Sequence, residues 1–385
     1  MVNEIFIRGV ANVYPSLEFA KQQLASNKPL RVYLGIDPTG SELHLGHTAP
    51  LFFLRRLLDL GHKPILLIGD FTSRIGDPTG KDASRKQLTA EDVARNMATY
   101  WEQVGKILPL DKIEKRYNSE WWGPMRVQEF MEIKSLVTVQ QLLTRDMFQK
   151  RIADGAPIFD HEVDYPLLQG YDTVAMDADG EVGGNDQTFN MLMGRDLLKK
   201  FKNREKLVVA MKLIEDSKTG KKMGKTEGNY ISITATAENM FGGVMALSDG
   251  LIAPLYESAT AVPMSVVEDA RKRLEAGENP KTLKTELAYE IVRFYHGEEQ
   301  ARLAREGFEN VFAQGNLPAE IPTHTGGDII DVMTDAKLAS SKTEAKNLID
   351  QRAVKINDIV VDSWDAKAKP GDILRVGPRK FLKII

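Results

Sequence analysis

The segment LRVYLGID (residues 30–37), followed by PTGSELHLGH (38–47), LFFLRRLL (51–58) and PILLIG (64–69), decides the fold. In residues 30–37, Val32, Tyr33, Leu34 and Ile36 recur without a helical stripe, which predicts a strand. Pro38-Thr39-Gly40 breaks it. Past His47 the period changes. Leu51, Leu54, Leu57 and Leu58 fall at helical spacing, while Arg55 and Arg56 lie off that face. Pro50 is tolerated in a first turn, and Gly61 is a natural stop. Residues 64–69 then predict a second buried strand. A strand, a helix and a strand in so short a span make a βαβ unit with parallel strands, hence an α/β fold. Leu207–Met211 (LVVAM) predicts another buried strand of the same sheet.

Further along, residues 238–307 are helical in pattern, with Leu287, Ile291 and Phe294 on one stripe. Residues 314–327 are rich in Gly, Pro, Asn and Thr and predict a linker. After it come two short helices, the alternating Val354-Lys355-Ile356-Asn357, a Pro370-Gly371 turn and Ile373-Leu374-Arg375-Val376, which together make a small α+β module. The expected domains are 1–230, with a connecting insertion at about 120–165, then 231–313, the linker 314–327, and 328–385.

The length of 385 residues fits two or three domains. With 42% apolar and 27% charged residues, a collagen-like or largely disordered chain is excluded. No apolar run approaches the roughly 18 residues of a membrane span. No apolar segment follows Met1-Val2-Asn3-Glu4, so no signal peptide is expected. Cysteine is absent, which excludes disulfides, a thiol nucleophile and thiolate metal sites. The net charge is −3, so a nucleic-acid partner must be met by a local basic patch. Residues 370–385 supply one: Arg375, Arg379, Lys380 and Lys383 stand against the single acid Asp372.

Two segments carry the clearest chemistry. In a parallel sheet, ligands bind beyond the carboxyl ends of the strands. The turn from Gly35 to His47 lies there, and a helix N-terminus following it suits phosphate. It is not a Walker loop, since Gly-Lys-Ser/Thr is missing. His44 and His47 are spaced to point to one side, and Gly46 lets a flat ring approach the backbone. A zinc pair or two surface histidines is the alternative. The second segment is Lys221-Lys222-Met223-Gly224-Lys225-Thr226-Glu227-Gly228, in which Lys222 and Lys225 could converge on a polyphosphate. Alone it is equally a solvated basic loop. It follows the strand Leu207–Met211, which puts it at the same sheet edge as His44.

Weaker signals join these two. Tyr165, Gln169 and Asp172 recur on one helix face. Gly183-Gly184-Asn185-Asp186-Gln187 offers close backbone approach and a carboxylate suited to ribose hydroxyls. A solvated helix face and a surface turn are the plain alternatives.

His44-Leu45-Gly46-His47 and Lys222-Met223-Gly224-Lys225-Thr226 resemble the two signature motifs of class I aminoacyl-tRNA synthetases. Gly224 stands where many class I members have serine, and tyrosyl enzymes often have glycine there. The segment from Tyr33 to His47 resembles the bacterial tyrosyl-tRNA synthetase family, as do Gly76-Asp77-Pro78-Thr79-Gly80-Lys81, residues 165–172 and residues 183–187. The C-terminal module is similar to an S4-type RNA-binding domain.

The resemblance implies a Rossmann-type catalytic domain, a helical anticodon-side domain and an S4-like domain. It implies ATP, L-tyrosine and tRNA(Tyr) as partners, with Mg2+ accompanying ATP and no dedicated metal cage. It implies that Tyr165 and Gln169 hold the substrate amino group, with Asp77 nearby and Asn118 orienting it. Asp172 and Tyr33 would meet the phenol, and Gln187 would contact the substrate. Gly35, Asp37, Gly46 and Asp186 would face the nucleotide. Thr39, His44, His47, Lys222 and Lys225 would carry catalysis, with Lys81 and Arg85 closing on pyrophosphate. A homodimer through residues 130–156, a cytoplasmic location and no membrane contact complete the expectation. A tryptophanyl or other class I ligase and a non-catalytic RNA-binding paralogue are the rivals. Asp172 with Tyr33 opposes the first, and the intact His44, His47, Lys222 and Lys225 oppose the second.

Overall fold

The computed structural model describes residues 5–26, 28–79, 87–224, 227–313, 322–339, 341–377 and 380–385. Among these, the strands β1 (Val10–Tyr14), β2 (Arg31–Ile36), β3 (Lys63–Ile68), β4 (Glu114–Tyr117), β5 (Gly180–Gly184) and β6 (Leu207–Met211) form one sheet. Its order is β1-β6-β5-β2-β3-β4. All pairs are parallel except β1 with β6. The three strands predicted from apolar runs are present, and β3 and β6 are almost wholly buried, as strands covered on both faces must be.

Helix α1 (Thr48–Asp59) links β2 to β3 and buries Leu51, Leu54 and Leu57 on the predicted face. Helix α2 (Asp160–Ala175) precedes β5, and α3 (Thr188–Lys202) connects β5 to β6. From β2 the chain winds outward through β3 and β4, then returns to lay β5 and β6 on the other side of β2. The winding reverses between β2 and β5, and the carboxyl ends of strands at such a point leave a crevice.

Helices α4 (Ala237–Ala246), α5 (Pro280–His296) and α6 (Glu298–Ala313) pack on one another. Helix α5 starts where Asn279 accepts the Lys281 amide and Pro280 occupies the first turn. The expected boundary near residue 230 does not divide the core. Phe241 and Ile291 share one apolar cluster with Leu45 and Phe53, and the rings of Phe52 and Phe294 lie 5.1 Å apart.

The C-terminal unit has its own core, in which Ile329, Met333 and Ile349 meet Leu374 and Leu382. Helices α7 (Ile329–Asp335) and α8 (Lys342–Asp350) cover a sheet of β7 (Thr323–His324), β9 (Val354–Ile356), β10 (Ile359–Val360), β12 (Ile373–Val376) and β13 (Lys380–Ile384). Part of the predicted linker therefore belongs to this unit. Thr323–His324 pairs in parallel with β13, and β8 (Gly327–Asp328) pairs with β11 (Lys367–Ala368). Strands of two residues are too short to show alternation in a sequence. Among the described residues, no helix is long and apolar enough to cross a membrane.

Candidate active site

A cleft of ≈ 370 Å³ opens at the β2–β5 switch point. Tyr33, Gly35, Asp37, Thr39, His44, Gly46, His47, Asp77, Tyr165, Gln169, Asp172, Asp186, Gln187 and Lys222 all line it. Lys81, Arg85 and Lys225, expected at the same site, lie outside the described residues.

The floor is buried and polar. Tyr33, at the centre of β2, has its hydroxyl 2.8 Å from Thr173 Oγ1. Asp172 accepts at Oδ1 from the indole N–H groups of Trp121 (2.9 Å) and Trp122 (3.0 Å), and at Oδ2 from Asn118 Nδ2 (3.3 Å). Burial pushes the Asp172 carboxyl up to about 8, with the three N–H donors pulling the other way. Asn118 therefore orients Asp172. The Asn118 side chain also accepts from the Phe71 amide and donates to Thr72 Oγ1.

One wall is built of hydrogen-bond acceptors. Tyr165 donates to Asp37 Oδ2 (2.8 Å), and Thr72 donates to Asp37 Oδ1 (2.7 Å). Gln169 Nε2 donates to Glu181 Oε1 (2.9 Å), and its Oε1 accepts from Asn190 Nδ2 (3.0 Å). Asn190 also donates to Gln187 Oε1 (2.9 Å), and Gln187 Nε2 donates to Asp77 Oδ2 (2.8 Å). With these donors spent within the protein, Tyr165, Gln169 and Asp77 turn oxygen lone pairs to the cleft. That is the complement of an ammonium group.

The mouth holds the two motifs. His44 Nδ1 accepts from the Gly46 amide and His47 Nδ1 from the His44 amide, each at 3.1 Å. Both neutral rings thus carry their proton on Nε2. A Cβ on Gly46 would stand 2.8 Å from the His44 ring and 3.3 Å from the Met223 carbonyl oxygen. Glycine is needed here by His44 itself and by the Lys222 loop, besides any ligand. Lys222 Nζ sits 3.6 Å from Asp186 Oδ2. Thr39 is exposed at the rim. A Cβ on Gly35 would meet only Leu67, at 4.0 Å, so the space above it belongs to the cleft.

In the C-terminal sheet, Arg375 pairs across from Phe381 and Ile373 from Lys383. Arg375 and Lys383 therefore share the face opposite the core residues Leu374 and Leu382. Arg375 Nη1 lies 3.9 Å from Asp358, and Lys383 is exposed. Arg379 lies outside the described residues, as does the side chain of Lys380.

Several residues of the site were not found from the sequence. Glu181 and Lys206 form a fully buried ion pair behind the floor, in contact with Thr173 and Gln169. Lys206 follows Asn203-Arg204-Glu205 and reads as one more surface charge. The buried Arg145 donates to Thr79 Oγ1 (2.6 Å), which donates to Asp77 Oδ1 (2.6 Å). Only the Trp121-Trp122 pair carried a usable signal, since buried indoles seek an acceptor.

The sequence pattern of tRNA synthetases class I (W and Y) matches residues 25–313, and that of the S4 domain matches residues 329–374. A tyrosine-tRNA ligase of Carboxydothermus hydrogenoformans is 42% identical over 398 residues, covering 99% of this chain and 97% of the relative. Tyrosine-tRNA ligase 2 of Vibrio vulnificus is 42% identical over 383 residues, covering 98% and 96%. A C-terminally truncated mitochondrial tyrosyl-tRNA synthetase of Aspergillus nidulans has the same fold, with a TM-score of 0.69 at 21% identity over 81% of this chain and 94% of that one. A tyrosyl-tRNA synthetase of Archaeoglobus fulgidus complexed with L-tyrosine gives 0.62 at 18% identity over 79% and 99%. With that identity to curated relatives over almost its whole length, the chain belongs to the tyrosine-tRNA ligase family of class I tRNA synthetases and carries an S4 domain.

Proposed function

We propose that the chain activates L-tyrosine with ATP and passes the tyrosyl group to the 3′-terminal ribose of tRNA(Tyr). The observation that carries this is the floor of the cleft. Tyr33 and Asp172 offer a hydroxyl and a buried acceptor side by side, below a wall that suits an ammonium group. Only an amino acid with a polar group at the far end of its side chain uses both.

Tyrosine lies with its ammonium at Tyr165, Gln169 and Asp77 and its phenol at Tyr33 and Asp172. Its carboxylate, ionised at neutral pH because carboxyl pKa values lie near roughly 3 to 4, attacks the α-phosphorus of ATP. The bond to the bridging oxygen breaks and pyrophosphate leaves. No general base is needed. Catalysis is positioning and charge stabilisation. The Nε2–H groups of His44 and His47, with Thr39, meet the developing charge, and Lys222 and Lys225 hold the leaving pyrophosphate. Lys81 and Arg85 close over it. The ribose takes Asp186, whose present partner Lys222 forms an exposed pair that is weakly held and readily exchanged. The terminal hydroxyl of the tRNA then attacks the acyl carbon and AMP departs.

Among the described residues, no group of three or more His, Asp or Glu side chains could hold a metal ion. Magnesium belongs to the ATP phosphates in this scheme, and no step depends on a protein cage for it.

Residues 1–230 carry activation, 231–313 face the tRNA, and 328–385, with Arg375, Arg379, Lys380 and Lys383, hold RNA. The connecting segment exposes Val127, Met131, Val139 and Ile152, and a second copy of this chain is the partner that covers them. Sedimentation velocity reads that dimer directly. The proposed location is the cytoplasm, with its tRNA. Incubation with labelled tyrosine, ATP and tRNA(Tyr) tests the function: acid-precipitable label must accumulate only when all three are present. Label that stays soluble contradicts it.

A further inference from the structure

Thr173 holds a hydroxyl that touches both Tyr33 and Lys206. Lys206 is fully buried. Its Nζ contacts Glu181 Oε2, Thr173 Oγ1 (2.7 Å) and the Met191 carbonyl oxygen (3.1 Å). An ammonium has three N–H bonds, and three acceptors surround this one. Thr173 Oγ1 therefore accepts from Lys206, because a lysine ammonium has nothing to accept with. The other contact of that hydroxyl among the described residues is Tyr33 Oη, 2.8 Å away. The proton of Thr173 thus goes to Tyr33. The Tyr33 proton, turned away from Thr173, is left to Glu181, whose oxygens already accept from Gln169 and Lys206, and to an acceptor in the cleft.

Helix packing makes room for this arrangement. At Gly194 of α3, a Cβ would stand 2.5 Å from Lys206 Nζ and 2.6 Å from Thr173 Oγ1. Any side chain there would separate the two.

We propose that Lys206 fixes the direction of a hydrogen-bond chain, Lys206 to Thr173 to Tyr33, and so turns the Tyr33 proton away from Thr173, where the substrate phenol competes with Glu181 to accept it. This rests on the tyrosine-activating function proposed above and deepens it. Asp172, already surrounded by N–H donors, is the matching acceptor. The floor then selects a group that accepts one hydrogen bond and donates another, as a phenol does. A phenyl ring does neither. An aniline donates twice and accepts poorly. Lys206 and Thr173 are positioning residues that act through Tyr33 without touching substrate.

The test compares L-tyrosine with 4-amino-L-phenylalanine in pyrophosphate exchange. Thr173→Val keeps the branched shape and removes the middle link, so Tyr33 can turn and accept. Tyrosine should lose about tenfold in kcat/KM, the worth of one ordinary hydrogen bond. 4-Aminophenylalanine should change less than twofold or improve, with the KM for ATP unmoved. Thr173→Ser, which restores the hydroxyl, should return tyrosine to within about threefold of wild type. Lys206→Met combined with Glu181→Gln should show the same pattern as Thr173→Val. If that pair does not fold, the Thr173 variants decide alone. Equal losses for both substrates in Thr173→Val, or tyrosine within twofold of wild type, would overturn the proposal. A wild-type chain that exchanges pyrophosphate with no tyrosine at all would instead overturn the functional assignment, and it is seen before any variant is made.

Discussion

The indole N–H of Trp122 donates to Asp172 Oδ1 at 3.0 Å. The same indole packs edge-on against Phe130, with ring centroids 5.9 Å apart. One side chain thus joins the floor of the tyrosine pocket to the connecting segment that exposes Val127 and Met131. The pocket acceptor is held by a part of the chain more than forty residues away in sequence, and its chemistry depends on that part being in place.

Burial raises the Asp172 carboxyl to about 8, so below that pH the unliganded protein holds a proton there. Accepting from a phenol requires the carboxylate. Tyrosine affinity should therefore rise with pH through this range, by roughly tenfold from pH 7 to 8.5, and binding should release a proton below pH 8. Calorimetry in buffers of different ionisation enthalpy reads both. Asp172→Asn should bind weakly and without this slope. A flat wild-type profile would show that the carboxyl is already ionised.

Gly69 follows β3 at the edge of the cleft, where a Cβ would stand 2.0 Å from Asp37 Oδ1 and 2.4 Å from Thr72 Oγ1. Gly69→Ala should push Asp37 aside and free the Tyr165 hydroxyl it holds. A stability loss of about 1–3 kcal/mol, typical of overpacking, should accompany a several-fold rise in the KM for tyrosine. Thermal melting and exchange kinetics on one preparation check both. An unchanged KM would remove Asp37 from the tyrosine wall.

Lys225 is assigned to the leaving pyrophosphate. Lys225→Ala should slow adenylate formation by about 10²–10³, the usual cost of losing a charge-stabilising donor, with little change in tyrosine affinity. Stopped-flow fluorescence with saturating tyrosine gives the rate. A value within about threefold of wild type would reassign the residue.

The parts legible in the sequence are those with a period or a fixed motif. Leu51, Leu54 and Leu57 announced helix α1, and the all-apolar LVVAM announced β6. The face shared by Tyr165, Gln169 and Asp172 was readable because it is a property of one helix. What was not readable depends on distant contacts. Lys206 comes to support the pocket floor only because β6 runs beside β5 and brings it to Glu181. Asn118 turns to Asp172 because β4 lies next to β3 at the cleft, not through any local signal. The closeness of the His44 ring to Gly46 is likewise a matter of the folded turn and not of the motif's spelling.

The two apolar cores predict separable functions. One runs from the sheet through α6 and the other is confined to the C-terminal unit. A fragment ending near Pro322 should still form tyrosyl-adenylate. It should charge tRNA poorly, because it lacks the face bearing Arg375 and Lys383. The full chain should bind tRNA with a strong salt dependence and the fragment with a shallower one. Equal charging rates for fragment and full chain would show that tRNA is held elsewhere.

The central claim is that the cleft between β2 and β5 activates tyrosine and no other amino acid. ATP–pyrophosphate exchange with the wild-type chain, run separately with each of the twenty amino acids, tests it most directly. Exchange well above background should appear with tyrosine alone. Exchange driven by tryptophan or phenylalanine at a comparable rate, or by none of the twenty, would contradict it.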